Sequence, residues 1–563
     1  MLEKVWNLLP EPPNGFADSM GLPPFDAHLL YNRGIHTADE ASAFLKAGDD
    51  LTHDPFLLPD MDKAAARLRT AVLWNDTVGV FGDFDTDGVS GTAIVVAALE
   101  SLGLKVVPYL PHRVDEGHGL NIQAVESLAD QGVTLLVTVD NGINSGSEIA
   151  HAARHGIETI ITDHHALPDD PPKATAIVNP QRGDSVYPYE HLTGAGLAYK
   201  LIEGLWMSLG RERPEHFLEL AALGTVADIA PMSGENRFIV KRGLELLQAT
   251  QHPGLRALFM VSGADRRELD SESLSFAVIP RLNAAGRLGD AKVSLDLLTT
   301  SNKREASTIA GQLESVNEER KALAATSIEE ARRQVYSSPG GRLPPLLFVE
   351  NEDWLPGILG LIAGNLSEQF YRPAVVVRRG EKESRASARS IPEFDIIEAI
   401  RSTSPSFLRH GGHPEAAGFT IATEDLPRLR EELIAAAEEQ LQDTMLVPTL
   451  EIDAVASPAS LPGDRFEFMR RIGPFGKGNP APTLLMRDAR VLRAIKVGAG
   501  RDHLKLQLAH GGKVWDAIAF KQGEKPARHG DTLDVVYTFG LNSWNGQTTF
   551  QLTVLDFRPS TGH

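Results

Sequence analysis

Between residues 64 and 178, short apolar runs alternate with stretches of helical periodicity. The runs cover residues 78–81, 106–110, 135–139, 159–162 and 176–178, and each has the length of a strand. Helix-like stretches lie between them at 91–102, 122–131 and 147–155, and a Pro-punctuated segment at 53–63 leads into an earlier helix at 64–74. Strand and helix alternating at this spacing predict a parallel sheet with helices on both faces. In such sheets ligands bind at the carboxyl ends of the strands. Residues 303–335 are rich in Glu, Ala, Arg and Leu and have one glycine, Gly311, so they predict one long, mostly exposed helix that connects domains. Ser337-Ser338-Pro339-Gly340-Gly341 ends it. A second α/β unit follows, with strands at 346–349 and 374–377 and helices near 358–370 and 426–442. From Thr449 onward the pattern is strict alternation, as in Leu504-Lys505-Leu506-Gln507-Leu508 and in 548–555, broken by turns such as Asn545-Gly546. That pattern predicts a small all-β barrel.

The expected fold class is therefore α/β multidomain. It has an N-terminal segment without motifs (1–52), a parallel-sheet domain (53–300), a connecting helix (301–338), a smaller α/β domain (339–446) and a barrel (447–563). A chain of 563 residues is too long for one core, and its 42% hydrophobic and 23% charged residues are those of an ordinary globular protein. No basic-then-apolar leader pattern opens the sequence and no apolar run approaches a membrane span, so a cytoplasmic protein is expected.

Chemistry enters at the end of the first apolar run. Asp83, Asp85 and Asp87 alternate in Gly82-Asp83-Phe84-Asp85-Thr86-Asp87-Gly88. If the chain stays extended there, all three carboxylates point one way. Like charges that close repel unless a cation neutralises them or their pKa values rise. Asp140 follows the run at 135–139, Asp163-His164-His165 follow the run at 159–162, and Asp228 ends Gly224-Thr225-Val226-Ala227-Asp228, read as a fourth strand end. Convergence of such residues on one sheet edge is what two adjacent divalent ions require. The chain has no cysteine, so the ligands are Asp, Glu and His, which favours Mn²⁺ or Mg²⁺ over structural zinc. A lone strand-end aspartate is more often a cap or turn former, which is the better reading of Asp228 by itself. For the alternating triplet metal binding leads, because a turn needs one Asp. The net charge of −20 argues against global attraction to nucleic acid but leaves room for a local basic groove.

The motifs Gly82 to Gly88, Val139-Asp140-Asn141-Gly142 and Asp163-His164-His165 resemble, in order, those of the DHH phosphoesterase superfamily. Within it the chain is most similar to the bacterial single-strand-specific 5′→3′ DNA exonucleases. The likeness runs from about His53 through the barrel region. It includes Pro280-Arg281-Leu282-Asn283-Ala284-Ala285-Gly286-Arg287, Gly411-Gly412-His413 and Gly473-Pro474-Phe475-Gly476-Lys477-Gly478-Asn479-Pro480. The resemblance implies two divalent ions, Mn²⁺ or Mg²⁺. Asp85 and Asp140 would hold one, and Asp87, Asp140, His164 and Asp228 the other. Asp83 would orient or deprotonate water, and His165 would stabilise the phosphate. Some relatives carry a metal-binding His where this chain has Phe81, so the first site is expected to be more open or completed by water.

Read alone, Arg385-Ala386-Ser387-Ala388-Arg389 and Gly411-Gly412-His413 fit a phosphate grip and a Gly-rich turn with solvated arginines equally well. The resemblance favours phosphate roles for Ser387, Arg389, Gly411, Gly412 and His413. Arg113 and Arg281 are candidates for the 5′ end, with structural pairing as the alternative for Arg281 and Arg287. Gly194-Ala195-Gly196 lacks a third glycine and a flanking strand, so helix packing is expected there rather than a nucleotide loop. Gly357, Gly360 and Gly364 likewise suggest close packing. The barrel would be an oligonucleotide-binding (OB) fold that holds a single strand by stacking and a basic groove, with Phe475, Lys477 and Trp544 as candidates. Trp515 and Phe520 are expected in its core. The expected activity is 5′→3′ exonucleolysis of single-stranded DNA in repair and recombination by a monomer, with a helicase and a single-strand-binding protein as plausible partners. The rivals are a phosphodiesterase of short oligonucleotides or cyclic dinucleotides, and a non-catalytic replication scaffold.

Overall fold

The computed structural model describes residues 3–337, 343–442, 444–498, 500–544 and 547–560. The expected turn at Asn545-Gly546 and most of the segment that ends the connecting helix, Ser338 to Gly341, lie outside the described residues. Strand Thr77–Gly82 lies between Lys105–Tyr109 and Leu135–Val139, followed by Glu158–Thr162 and Ala176–Val178, all parallel. Helices Thr86–Ser101 and Gly194–Ser208 pack against each other on this sheet. They are so thoroughly buried because apolar residues fill most of their circumference, and the buried Lys200 and Glu203 pair with each other. Their amino ends sit at the carboxyl edge of the strands, where the motif residues are.

The connecting helix runs Lys303–Tyr336. Ala306, Ala310, Leu313, Ala324, Ala331 and Val335 form its buried stripe, at helical spacing, against both α/β domains. The second domain is a mixed five-stranded sheet in the order Phe407–His413, Ala416–Ala422, Glu383–Arg389, Ala374–Arg378, Leu347–Asn351. Three of these strands were not foreseen, because Arg, Ser, Gly and His dilute their β signal. Gly411, Gly412 and His413 therefore lie on an edge strand and not in a turn.

In the barrel, Leu484–Val497 pairs with both His503–His510 and Thr532–Trp544, which closes the sheet. Trp515 belongs to its core as expected. Phe520 does not: it is 55% exposed, and its ring packs edge-on against His503 with centroids 5.4 Å apart. The residue sits where the strand Lys513–Ala519 has just ended, so the inward alternation no longer applies to it. The N-terminal segment, without motif, is structural. Val5–Leu8 pairs in parallel with Thr449–Ile452, and Leu29, Leu30 and Ile35 enter the barrel core.

Arg237 joins three parts of the molecule. It is fully buried, its guanidinium lies 3.7 Å from the Phe44 ring centroid, and it donates to the carbonyls of Phe44, Ile472, Arg471 and Gly473. Burial, with repulsion from Arg33, pushes its pKa down to about 9. Arg237→Ala leaves several buried carbonyls unpaired, at about 1–3 kcal/mol each. It should lower the first thermal transition well below that of a surface control such as Arg256→Ala. Equal melting of the two variants in calorimetry would contradict this role.

Candidate metal centre and substrate cleft

The acidic triplet does not continue as a strand. Asp85 caps the helix Thr86–Ser101, its Oδ1 accepting from Asp87 N at 2.9 Å and Gly88 N at 3.1 Å. An N-capping carboxylate is a stronger local signal than continued extension. The turn still brings the carboxylates together, because Gly88 has no Cβ to strike Asp83 N, which would be 2.6 Å away. Asn283 Oδ1 accepts from Thr86 N at 2.9 Å and so ties the helix Ile279–Leu288 to this turn.

Asp87 lies in the first helical turn and accepts from two amides at another helix N-terminus, Gly194 N at 2.7 Å and Ala195 N at 2.9 Å. Gly194-Ala195-Gly196 is thus a helix start, as expected, but one that holds a site carboxylate. A Cβ on Gly194 would lie 2.3 Å from Asp140 Cβ, and one on Gly224 would lie 2.4 Å from Asp87 Oδ1. Asp140 follows its strand with φ 62°, a left-handed conformation that aspartate tolerates. Its Oδ1 is 3.0 Å from His164 Nε2. Asp228 ends no strand. It is the C-terminal cap of the helix Leu218–Ala227, an apolar run whose length favours a buried helix over a strand.

These residues form three overlapping groups of candidate ligand atoms, each group within 4.8 Å: Asp83, Asp85 and Asp140; Asp87, His164 and Asp228; and Asp140, His164 and His165. Asp140 belongs to two of them, the position of a bridging carboxylate. Asp83 Oδ1 is buried and accepts no hydrogen bond among the described residues. Burial, with repulsion from neighbouring aspartates, raises the pKa of Asp85, Asp87 and Asp140, and pushes Asp228 up to about 6. An orphaned oxygen and mutually repelling carboxylates fit hard divalent cations. His165 differs. Burial alone would lower its pKa, but Asp163, 2.7 Å from its Nδ1, outweighs that and holds the imidazolium up to about 9. A ring kept protonated suits a phosphate better than a metal. Phe81, in place of a ligand, is buried and stacked on Tyr109.

Opposite the acids lies a cationic wall. Arg113, Arg287 and Arg389 lie within one another's electrostatic reach, and none of the three forms an ion pair among the described residues. Arg113 stacks over Phe84 at 4.7 Å. Burial, then these neighbours, push Arg287 down to about 9, and its Nη1 donates to Gly357 O at 3.1 Å. Arg389 Nη1 donates to Ser387 Oγ at 3.3 Å, and Gly360 would meet this pair at 3.1–3.3 Å had it a Cβ, so its packing role is specific. Arg281, a candidate for the 5′ end, takes the structural alternative: it is buried and paired with Glu314 of the connecting helix, whereas Arg287 forms no ion pair among the described residues. The two differ by their place on the helix Ile279–Leu288, which the motif alone did not orient. Arg385 Nη1 donates to Val114 O at 2.6 Å and so links the two domains.

His413 carries the edge strand into this cleft, where it faces His165, His164 and Asp228. Lys477 is exposed, its Nζ 3.9 Å from Glu415, and its carbonyl accepts from Met232 N at 2.7 Å. Phe475 is partly buried, with its ring packed against the barrel core. The side chain of Trp544 lies outside the described residues. His118 went unnoticed in the sequence. Its Nδ1 is 3.3 Å from Asp83 Oδ2 and its ring lies 4.3 Å from that of Phe84. Flanking glycines, Gly117 and Gly119, were the available signal.

Three family models match successive parts of the chain: the DHH family N-terminal domain over residues 77–225, the DHHA1 domain over 344–439 and the RecJ OB domain over 452–556. The single-stranded-DNA-specific exonuclease RecJ of Escherichia coli K12 is 31% identical over 570 residues, which covers 96% of each chain. The chain belongs to the RecJ family. RecJ of Bacillus subtilis strain 168 is 35% identical over 543 residues, covering 96% of this chain and 68% of its own. The crystal structure of Thermus thermophilus RecJ in complex with Mn²⁺ superposes with TM-score 0.83 at 29% identity, over 99% of this chain and 80% of that one. Its Mg²⁺ complex gives 0.78.

The raised pKa of Asp228 has a thermodynamic consequence. In the folded protein without metal it binds a proton between about pH 4 and 6 that the unfolded chain has released, so its contribution to stability falls as pH rises through that window. In EDTA, Asp228→Asn should therefore match the parent near pH 4 and be the more stable of the two above pH 6. Denaturant unfolding across this range checks it, and a parent more stable than the variant at pH 7.5 in EDTA would contradict it.

Proposed function

We propose that this chain is a two-metal exonuclease that degrades single-stranded DNA from its 5′ end. The observation that carries this is a cluster of five aspartates and two histidines faced by three arginines without ion-pair partners among the described residues. Asp83, Asp85 and Asp140 would hold one divalent cation, and Asp87, Asp140, His164 and Asp228 the other. Two such cations, Mn²⁺ or Mg²⁺, supply an activated water and charge neutralisation at the scissile phosphate. His118, beside Asp83, orients that carboxylate. His165, kept protonated by Asp163, donates to a phosphate oxygen as negative charge builds. Arg113, Arg287 and Arg389, with Ser387, grip the 5′-terminal phosphate through forked donors. His413, the Gly411–Gly412 backbone and Lys477 line the path of the strand, and the OB barrel holds it farther along.

The domain limits suggested by the sequence suit this division of labour. The N-terminal segment, 1–52, acts as part of the barrel body. The interdomain contacts from Arg385 to Val114 and from Arg287 to Gly357, with the connecting helix, bound a passage that admits one strand and excludes a duplex. The large barrel disfavours a dinucleotide as the main substrate, and retention of every candidate ligand disfavours a scaffold. The protein would work in the cytoplasm as a monomer in DNA repair and recombination, supplied with unwound strands by a helicase and coordinated with a single-strand-binding protein. Among the described residues no helix is long and apolar enough to cross a membrane.

A 5′-phosphorylated oligomer labelled at either end tests the proposal with Mn²⁺ present. The 5′ label should appear at once as mononucleotide, the 3′ label should shorten progressively, and the same sequence as blunt duplex should be cleaved far more slowly. Release of the 3′ label first, or equal rates on duplex and single strand, would overturn it.

A further inference from the structure

Nine non-glycine residues of the described chain have positive φ, and Ile229 is the one β-branched residue among them, at 56°. The others are Asp and Asn, which tolerate this region, and unbranched residues or a tyrosine at helix ends and turns. Ile229 follows Asp228 directly. The helix Leu218–Ala227 ends there with Ile229 N donating to Val226 O at 3.3 Å and Ala230 N to Thr225 O at 3.4 Å. This is the position at which glycine normally ends a helix, because a Cβ is strained in the left-handed region. Ile229 is also 68% exposed, so its side chain recovers little of that strain by burial. It thus combines a strained backbone, a branched apolar side chain and solvent exposure, one residue from a candidate metal ligand.

Strained residues of this kind cluster at functional sites, where an external contact uses the geometry they enforce. The surroundings name the contact. On one side is the centre formed by Asp87, His164 and Asp228. His413 of the edge strand faces Asp228, and the segment carrying Lys477 is bonded to Met232, three residues on. Imidazole and ammonium groups at these positions suit phosphates. Ile229 is the exposed apolar side chain that directly follows Asp228, and a nucleotide beside a bound phosphate offers one apolar partner, the face of its base and sugar.

We propose that Ile229 contacts the base and sugar of the nucleotide next to the scissile phosphate, and that this sequence-indifferent contact fixes the register of the strand over the metal centre. The inference rests on the nuclease function proposed above. An aliphatic side chain against a base face makes no hydrogen bond, so all four bases are accepted, as an exonuclease requires.

The test compares the parent with Ile229→Gly, Ile229→Asn and Ile229→Val on a 5′-phosphorylated oligothymidylate and on the same oligomer with an abasic residue at the first or second position. Removing the base at the contacted position should lower the parent's kcat/KM about fivefold, the size of a modest stacking contact. Ile229→Gly should melt higher than the parent, bind Mn²⁺ with unchanged affinity, show a KM raised about fivefold on the intact oligomer and be indifferent to the missing base. Ile229→Val should behave as the parent. Ile229→Asn, compatible with the left-handed backbone, should lose base sensitivity as the Gly variant does and serves in its place if that variant does not fold. A Gly or Asn variant with parental KM and base sensitivity would refute the contact. So would weakened Mn²⁺ binding, which would make Ile229 a support for Asp228. A parent inactive on the intact oligomer would refute the nuclease function instead.

Discussion

Repulsion among the carboxylates of Asp83, Asp85, Asp87, Asp140 and Asp228 is the constraint around which this molecule is arranged. Burial and mutual charge raise the pKa of four of them, Asp85, Asp87, Asp140 and Asp228, yet the fold holds all five within ligand distance of shared points. It does so with backbone amides. Two helix N-termini, at Thr86 and Gly194, present N–H groups to Asp85 and Asp87, where the helix dipole favours negative charge. The rest of the compensation must come from cations, and the same positive charge is what a phosphodiester needs in order to react.

The second half of the molecule answers the first with opposite charge. Arg389 and His413 come from the DHHA1 sheet, Arg113 and Arg287 from the catalytic domain, and the contacts at Val114 and Gly357 hold these parts in register. The connecting helix fixes the spacing, since its buried stripe packs against both domains. The acidic cluster and the cationic wall are therefore set at a distance decided by packing far from either.

Much of this was legible in the sequence. Apolar runs of strand length located the parallel sheet, because strands buried on both faces read as continuous hydrophobic segments. The acids and histidines at their ends located the site. What stayed hidden has physical reasons. The run before Asp228 is largely apolar, so periodicity does not separate helix from strand there, and only its full length, Leu218–Ala227, favours a helix. Arg281 and Arg287 differ only in which side of a helix they occupy, and tertiary packing decides which of them meets Glu314. The edge strand Phe407–His413 is poor in β-formers and exists because Ala416–Ala422 pairs with it. The support that Gly194 and Gly224 give to Asp140 and Asp87 lies in the absence of a side chain, which only coordinates reveal.

The sharing of Asp140 between two cations is the central claim, and manganese titration by calorimetry, with electron paramagnetic resonance of the bound ions, tests it most directly. The parent should bind two Mn²⁺ per chain with spin coupling between them, and Asp140→Ala should lose the coupling and weaken both binding events. A parent that binds a single uncoupled ion, or an Asp140→Ala variant that keeps one site at parental affinity, would contradict it.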